Sequence, residues 1–321
     1  MLAILPGLSE LLLLNIFLQH MKKALLTGAS GFLGKYIGQA LQSQGFETTT
    51  LGRKNASLIC HLESEIPAIT EAPYLVVHAA GKAHVVPQTP AEEKEFFEVN
   101  LEGTRRLCQA FDLLKKWPER FVFISTVAVY GVEEGENISE NHTLQGSTPY
   151  AKSKMEAEQF LKNWSHAHGV LLSILRLPLI AGANPPGNLG AMAKGIATNR
   201  YFNIGEGAAR KSVVMASDVA KWIPKLAEVG GIFNLTDGQH PSFAALAALM
   251  AQQLHKKSPM SIPRWMALPM AFAGNFLGQK APINTDKLRK ITATLTFDDS
   301  KARAAFGWSP SAVLQAFKLA E

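Results

Sequence analysis

Residues 24–34 read Ala-Leu-Leu-Thr-Gly-Ala-Ser-Gly-Phe-Leu-Gly, and this stretch decides the fold. Ala24–Thr27 is short, apolar and closed by a β-branched residue, which is typical of a buried strand. An amphipathic helical pattern follows over Leu33–Ser43. Glycines are needed where a chain turns tightly, where backbone approaches a bound group, and where a helix packs closely on a strand. The stretch therefore predicts a strand–turn–helix unit within a parallel sheet.

The same alternation of strand-like and helix-like segments continues to about Arg176. Repeated strand–helix units predict an α/β fold with a doubly wound parallel Rossmann sheet over residues 21–178. Further strands are predicted at Phe46–Leu51, Tyr74–His78, Phe121–Ser125 and Val170–Arg176, and further helices at Ala91–Lys116 and Pro149–His168. Beyond, the pattern is less regular. We expect residues 179–321 to form a smaller α/β substrate lobe, interleaved with the last strands of the sheet.

The first twenty residues do not fit this pattern. Leu11–Leu18 is apolar apart from Asn15, but it is shorter than the roughly 20 residues of a membrane-spanning helix. Basic residues follow this segment, whereas a signal peptide carries them in front. We predict that Met21 is the start and that residues 1–20 are an upstream extension. A helix packed on the body is the alternative.

Composition narrows the classes of partner. The 321 residues are 47% hydrophobic and 18% charged, which is ordinary for a globular protein. Lys and Arg (32) exceed Asp and Glu (26) by six, which suits an anionic small molecule, but no long basic run predicts a nucleic-acid partner. Cys60 and Cys108 make no disulfide framework, so we expect a reducing cytoplasm. No paired ligand spacing predicts a metal site.

The glycine stretch also predicts a binding site for the pyrophosphate of a dinucleotide. A helix that begins just after the glycines offers free N–H groups and the positive end of its dipole. The second predicted strand ends in Gly52-Arg53-Lys54, without the acid that usually holds an NAD ribose. Arg53 therefore favours NADP, unless both charges are simply solvated. The predicted cofactor contacts are Gly28, Ser30, Gly31, Phe32, Leu33, Gly34 and Arg53.

A candidate catalytic pair lies on the helix that Thr148-Pro149 is predicted to start. Tyr150 and Lys154 are four residues apart and share one helical face. A neighbouring ammonium favours the phenolate form of a tyrosine, and a phenolate can exchange a proton with a carbinol. Thr126, at the carboxyl end of a predicted strand, adds a hydroxyl at the edge where such sheets bind ligands. Ser125 is the second candidate for that hydroxyl.

Together these motifs resemble the extended short-chain dehydrogenase/reductase family over about Met21–Glu321. The resemblance implies that Thr126 positions the substrate oxygen, that Tyr150 is the acid/base, and that Lys154 also holds the nicotinamide ribose. It assigns further cofactor contacts to Ala79, Ala80, Gly81, Asn100 and Pro178. Homodimers built on the two helices that flank the sheet are common in this family. The motifs are His78-Ala-Ala-Gly81, Asn100-Leu-Glu-Gly-Thr104, Ser125-Thr126…Val129-Tyr130-Gly131, Tyr150…Lys154, Arg176-Leu-Pro178 and Asp299-Ser-Lys…Trp308-Ser-Pro310.

Within the family, nucleotide-sugar dehydratases carry acids directly after the catalytic threonine, where this chain has Val127 and Ala128. The resemblance therefore favours an epimerase or ketoreductase over a dehydratase. Where the family's acid precedes the Leu at the third strand's end, this chain has His61-Leu62. Substrate contacts are expected from Lys82, His84, Ser125, Thr126, Asn188, Arg210 and Lys211. For the loop residues, an ordinary exposed position is the alternative.

Three functions remain open at this point. The first is an NAD(P)-dependent nucleotide-sugar epimerase or ketoreductase. The second is a reductase or dehydrogenase of a hydrophobic alcohol, resembling sterol or dihydroflavonol enzymes. It is favoured by the apolar stretch Trp265–Leu277, which would line an apolar pocket or lie on a membrane, although we expect it to pack in the core. The third is a non-catalytic NADP-sensing protein, which the intact Tyr150 and Lys154 disfavour.

Overall fold

The computed structural model describes residues 22–83, 85–276 and 283–320. A seven-stranded parallel sheet in the order β11-β7-β5-β4-β1-β2-β3 forms its centre. The sequence prediction of an α/β fold with a parallel Rossmann sheet is confirmed. The strands of this sheet are β1 (Lys23–Thr27), β2 (Glu47–Gly52), β3 (Leu58–Ile59), β4 (Leu75–His78), β5 (Arg120–Thr126), β7 (Leu171–Leu177) and β11 (Gly231–Asn234).

Helices cover both faces of the sheet and build one apolar core on each. Helices α1 and α6 pack on one face, and α3 and α4 on the other. The helices are α1 (Phe32–Ser43), α2 (Pro90–Phe97), α3 (Gly103–Leu114), α4 (Pro149–His168), α5 (Gly187–Ala197), α6 (Ala216–Ala227), α7 (Phe243–Gln253), α8 (Arg264–Asn275), α9 (Thr285–Thr292), α10 (Ser300–Phe306) and α11 (Val313–Ala316).

The helix predicted at Ala91–Lys116 is divided. Between α2 and α3 the backbone forms a π-helical turn over Glu98–Glu102, and this turn carries the buried Asn100. Such turns occur mostly at functional sites, because they shift the side chains of a helix relative to its regular spacing. Here the turn directs Asn100 toward the loop that follows β4.

Residues beyond 178 contribute to both the sheet and the core. β11 pairs in parallel with β7, and Phe306 and Trp308 pack into the same apolar cluster as Val219 on α6. The rest of this region contributes strands to three two-stranded sheets, one of which also takes a strand from before residue 178. These pair β8 (Leu179–Ala181) with β10 (Val213–Met215), β9 (Asn203–Ile204) with β12 (Ser261–Ile262), and β6 (Gly135–Ile138) with β13 (Leu295–Phe297). One strand of the central sheet thus comes from the later region, as expected for a substrate lobe interleaved with the sheet. The division at residue 178 stays a prediction.

The prediction that Trp265–Leu277 packs in the core was wrong for the described residues. Helix α8 buries Ala267, Ala271 and Gly274, and it leaves Trp265 and Phe272 exposed. The helix can approach its neighbour α9 closely only through small residues, so its large apolar side chains face outward. Leu277 and the proposed extension at residues 1–20 lie outside the described residues. Among the described residues, no helix is both long and apolar enough to cross a membrane.

Candidate active site

Two positions at the loop between β1 and α1 accept only glycine. Gly28 has φ +72°, and a Cβ there would lie 2.6 Å from the backbone N of Ala80. A Cβ on Gly34 would lie 2.0 Å from the carbonyl oxygen of Gly28. Gly31 is the N-cap of α1, with no side-chain cap and no acid in the first turn. The first N–H groups of a helix have no intrahelical partner, so they are available to phosphate oxygens at this end of α1.

These features fit the pyrophosphate of a dinucleotide. Tight turns, an uncapped helix start and the absence of a carboxylate in its first turn are what an anion bound by backbone N–H groups requires. The structure thus brings together the residues that the sequence predicted for this role. They are Gly28, Ser30, Gly31, Phe32, Leu33 and Gly34.

A buried chain of hydrogen bonds holds the loop after β4. The Thr104 hydroxyl donates to the carbonyl oxygen of Asn100 (2.7 Å), so it accepts from Nε2 of His78 (2.9 Å). Nδ1 of His78 then accepts from the Thr27 hydroxyl (2.6 Å), which itself accepts from the N–H of Ala80 (3.1 Å). Burial lowers the pKa of His78 to about 3, so the ring stays neutral and keeps this arrangement.

Asn100 fixes the same loop from the other side. Its Oδ1 accepts from the N–H of Lys82 (2.8 Å), and its Nδ2 donates to the carbonyl oxygen of Lys82 (3.1 Å) and to the Ser153 hydroxyl (3.0 Å). A Cβ on Gly81 would lie 3.0 Å from Asn100 Oδ1 and 3.3 Å from Lys154 Nζ. The loop of Ala79, Ala80 and Gly81 therefore lies directly against the candidate catalytic lysine.

Thr126, Tyr150 and Lys154 meet at the carboxyl edge of the sheet. Thr126 ends β5, its side chain is near enough to Tyr150 to lower the pKa of that phenol, and its Oγ1 accepts from the N–H of Ala128 (3.2 Å). The Nζ of Lys154 is buried and donates to the carbonyl oxygen of Ile124 (2.9 Å). Thr148 caps the helix α4 that carries both residues, as the sequence predicted.

The electrostatics of this group leave Tyr150 protonated and Lys154 easily deprotonated when no ligand is present. Burial raises the pKa of Tyr150, and its hydrogen bond with Thr126 opposes part of that rise. Burial lowers the pKa of Lys154 to about 8, and the charge of Glu158 opposes part of that fall. A cationic ring bound beside them would favour the phenolate form of Tyr150.

Ser125 belongs to a different group of residues. Its hydroxyl donates to the Glu158 carboxylate (2.5 Å), which also binds Arg176. Arg176 in turn donates to the Tyr130 hydroxyl (3.2 Å). Since neighbouring residues of a strand point to opposite faces, the structure does not bring the Ser125 hydroxyl together with Tyr150. Thr126 is the hydroxyl at the site.

The strand end predicted to select the cofactor is exposed. The Arg53 side chain is 71% exposed at the end of β2, and its guanidinium lies 3.9 Å from the Glu63 carboxylate. Glu63 also accepts from Nδ1 of His61 (3.3 Å). His61 occupies the position where the family has an acid. Lys54 is exposed as well. The sequence analysis missed Glu63, which partly offsets the positive charge at this end.

The predicted substrate contacts are placed unevenly. Lys82 forms an ion pair with Glu95, and His84 lies outside the described residues. Asn188 is exposed in the first turn of α5. Arg210 donates to the backbone carbonyls of His240 (3.1 Å) and Gln239 (3.0 Å), so its guanidinium already has partners.

Lys211 carries the positive charge of this region instead. It is buried beside the Phe243 ring, 5.9 Å from its centroid, and burial lowers its pKa to about 8. The charges of Glu133 and Glu134 oppose part of that fall. Among the described residues predicted to contact substrate, Asn188 is accessible and the Lys211 ammonium has few partners. Pro178 joins β7 to β8 at the same sheet edge.

Two further residues near the site escaped the sequence analysis, and only the first of them had a signal in the sequence. Glu158 continues the spacing of Tyr150 and Lys154 by four more residues, so it lies on the same face of α4. The Tyr36 hydroxyl accepts from the N–H of Ala183 (2.9 Å) and so connects α1 to the loop after β8. No pattern in the sequence indicated that second contact.

A sequence profile of the NAD dependent epimerase/dehydratase family matches residues 24–235. The chain belongs to this family. As a member, it is an NAD(P)-dependent enzyme of the extended short-chain dehydrogenase/reductase type. Among the described residues, no cluster of His, Cys, Asp and Glu has the arrangement of a metal site.

Full-length relatives act on three kinds of substrate. The chain is 27% identical over 88% of both chains to the N-acetyl-alpha-D-glucosaminyl-diphospho-ditrans,octacis-undecaprenol 4-epimerase of Escherichia coli O157:H7. It is 26% identical to the UDP-glucose 4-epimerase of Vibrio cholerae over 92% of both chains. It is 29% identical to the Dictyostelium discoideum sterol-4-alpha-carboxylate 3-dehydrogenase, over 90% of this chain and 96% of that one.

The fold is also that of solved family members. The UDP-glucose 4-epimerase of Thermotoga maritima, solved with UDP-glucose, superimposes with a TM-score of 0.71 at 19% identity. The alignment covers 91% of this chain and 95% of that chain. The likeness supports the architecture of the family enzyme, including the parallel sheet that carries the site.

Proposed function

We propose that this family enzyme is an epimerase that inverts a carbinol of a sugar carried on a diphosphate, as in nucleotide sugars. One observation carries the proposal. Thr126, Tyr150 and Lys154 converge beside Gly81 in the loop after β4, without an acid at positions 127 and 128. A dehydratase would need a carboxylate there to remove water. The epimerases among the full-length relatives support the same reaction.

The chain's own residues divide the work as follows. Tyr150 takes the proton of the sugar hydroxyl and later returns it, and Thr126 holds the substrate oxygen and Tyr150 in register. Lys154, whose ammonium donates to the carbonyl oxygen of Ile124 and lies beside Gly81, binds the ribose of the dinucleotide and stabilises the phenolate by its charge. A nicotinamide, when bound, would supply the hydride exchange at the same carbon. Returning the hydride to the opposite face of that carbon would invert it, and returning the proton to the oxygen would leave nothing consumed.

The diphosphate of the substrate requires positive charge or N–H donors in the later region of the chain. We assign this role to Lys211 and to Asn188 at the start of α5. An ammonium is a point charge and can serve a diphosphate without the two-point geometry of an arginine. Arg210, whose guanidinium binds backbone carbonyls, would instead support the loop that carries Lys211.

For the cofactor, we propose that NADP binds more tightly than NAD. Arg53 and Lys54 are exposed at the end of β2, where the 2′-phosphate of NADP would lie. The carboxylate of Glu63, 3.9 Å from Arg53, limits the preference. Further proposals are a cytoplasmic location, in keeping with the free thiols of Cys60 and Cys108, and a homodimer built on α3 and α4.

A dehydrogenase of a hydrophobic alcohol is the second candidate, because a sterol dehydrogenase is among the full-length relatives. A thermal-shift screen separates the two. Ligands that bind the native state raise its melting temperature, and at one concentration a tighter ligand raises it more. With the cofactor present, the epimerase proposal expects a further rise with UDP- or GDP-sugars. A rise with sterols alone would favour the second candidate.

A further inference from the structure

The apolar residues around α8 form an exposed surface that the proposed function does not use. Trp265 is 72% exposed, Phe272 67% and Phe276 87%. The surface continues onto the neighbouring sheet of β9 and β12, where the N–H of Asn203 donates to the carbonyl oxygen of Met260 (3.0 Å). We call it the α8 surface, and it consists of Phe202, Met260, Trp265, Met266, Leu268, Met270, Phe272 and Phe276.

The orientation of α8 reverses that of an ordinary surface helix. Its buried face consists of Ala267, Ala271 and Gly274, which pack near Leu288 of α9. A helix that served only the core would turn its largest apolar side chains inward. Here tryptophan, phenylalanine and methionine side chains of the same helix are exposed instead. Large exposed apolar patches mark sites that bind a membrane, another protein or a ligand.

The chain segment that carries α8 has charges of one sign. No Asp or Glu occurs between Asp237 and Asp286 in the sequence. Lys256, Lys257 and Arg264 are exposed in this segment, and among the described residues none of the three is in an ion pair. The nearby exposed acids, Glu206 after β9 and Asp286 in α9, come from other segments. The segment itself is therefore apolar and positively charged.

We propose that the α8 surface docks the enzyme on an anionic membrane, with α8 lying in the plane of the headgroups. Interfacial helices bury Trp, Phe and Leu side chains among the acyl chains while neighbouring Lys and Arg bind anionic headgroups. A second copy of this chain fits less well. In a two-fold pair the same patch would meet itself, so Lys256, Lys257 and Arg264 would face like charges.

Docking also narrows the substrate. An enzyme held at the membrane meets sugars whose diphosphate is esterified to a membrane lipid, and this consequence rests on the proposed function. The full-length relatives include an epimerase of such a lipid-linked sugar. Docking itself does not depend on the reaction, so the two are tested separately: docking by vesicle binding without any sugar, and the reaction by epimerisation.

The docking test uses the full chain in vesicle flotation, with vesicles of phosphatidylglycerol and phosphatidylcholine, or of phosphatidylcholine alone. The exposed pair Trp265→Ser/Phe272→Ser removes the centre of the patch. Ile59→Ser/Val229→Ser is the matched control, because both side chains are exposed, at 60% and 39%, and neither belongs to the α8 surface, α3 or α4. We expect the first variant to bind the anionic vesicles at least about tenfold more weakly and the control to bind like the wild type.

A spectroscopic reading locates the contact. Trp265 is the most exposed of the described tryptophans, so its emission should shift to the blue when anionic vesicles are added. Trp265→Phe should abolish the shift but keep the binding. Unchanged flotation of Trp265→Ser/Phe272→Ser would overturn the proposal, as would a wild type that ignores vesicles or binds neutral ones equally well. A dimer in solution that this variant dissociates would instead assign the surface to a second copy.

Discussion

Glu158 and Arg176 form a buried two-point ion pair one helical turn beyond Lys154, the candidate catalytic lysine. Nη2 of Arg176 lies 2.7 Å from Oε2 of Glu158, and Nε lies 3.2 Å from Oε1. Both side chains are almost fully buried, at 2% and 0% exposure. The pair joins α4 to β7, and the charge of Glu158 raises the pKa of Lys154 against the effect of burial. It therefore supports both the position and the charge of Lys154.

Glu158→Gln should lower the free energy of unfolding, and it should also lower the alkaline pH at which activity is lost. Removing one partner of a buried ion pair leaves the other uncompensated, which costs about 3–5 kcal/mol. Without the carboxylate the pKa of Lys154 falls further, so the alkaline limb of the pH–rate profile should move to lower pH. Chemical denaturation and a pH profile measure the two effects. Glu156→Gln, an exposed position on the same helix, is the control. A stable variant with an unshifted profile would contradict the supporting role.

Acid should destabilise the protein through His78. Its pKa in the folded state is depressed from 6.5 to about 3, so its contribution to stability is present above pH 6.5 and is lost as the pH falls toward 3. His78→Gln should therefore lose less of its own melting temperature between pH 7 and pH 4.5 than the wild type does. The exposed His166→Gln should behave like the wild type. An equal fall of melting temperature in all three proteins would contradict the claim that His78 stays neutral in the folded state.

Cofactor preference should follow the charges at the end of β2. Arg53→Asp should weaken NADP binding about tenfold or more and leave NAD binding nearly unchanged, because one charge-assisted pair is worth about 1.4 kcal/mol or more. Glu63→Gln should strengthen NADP binding, since it removes the carboxylate beside Arg53. Both dissociation constants are measured by titration at one ionic strength. If the wild type binds NAD as tightly as NADP, the proposed preference for NADP is wrong.

The features predicted from sequence were those that local chemistry dictates. The buried strands followed from short apolar runs, the turn after β1 from its glycines, and the Tyr150–Lys154 face from a spacing of four. Contacts between distant segments could not be read this way. Glu63 approaches Arg53 only because β2 and the segment after β3 are neighbours in the folded chain.

The outward face of α8 was also beyond the sequence patterns. An apolar run predicts burial in general, but whether its large or small residues face the core depends on how closely the partner helix approaches. Here α9 approaches so closely that Ala271 is buried and Phe272 is exposed. The burial of Asn100 likewise depends on a π-helical turn that regular helical spacing does not foresee.

The central claim is that Tyr150 exchanges the proton during epimerisation, and one comparison tests it most directly. The wild type and Tyr150→Phe, both with bound cofactor, are incubated with UDP-sugars, and the C4 epimers are measured by proton NMR. We predict interconversion by the wild type without net change in the cofactor, and a rate at least about a hundredfold lower in the variant, with unchanged folding and cofactor affinity. Comparable rates in the two proteins would contradict the assignment of Tyr150.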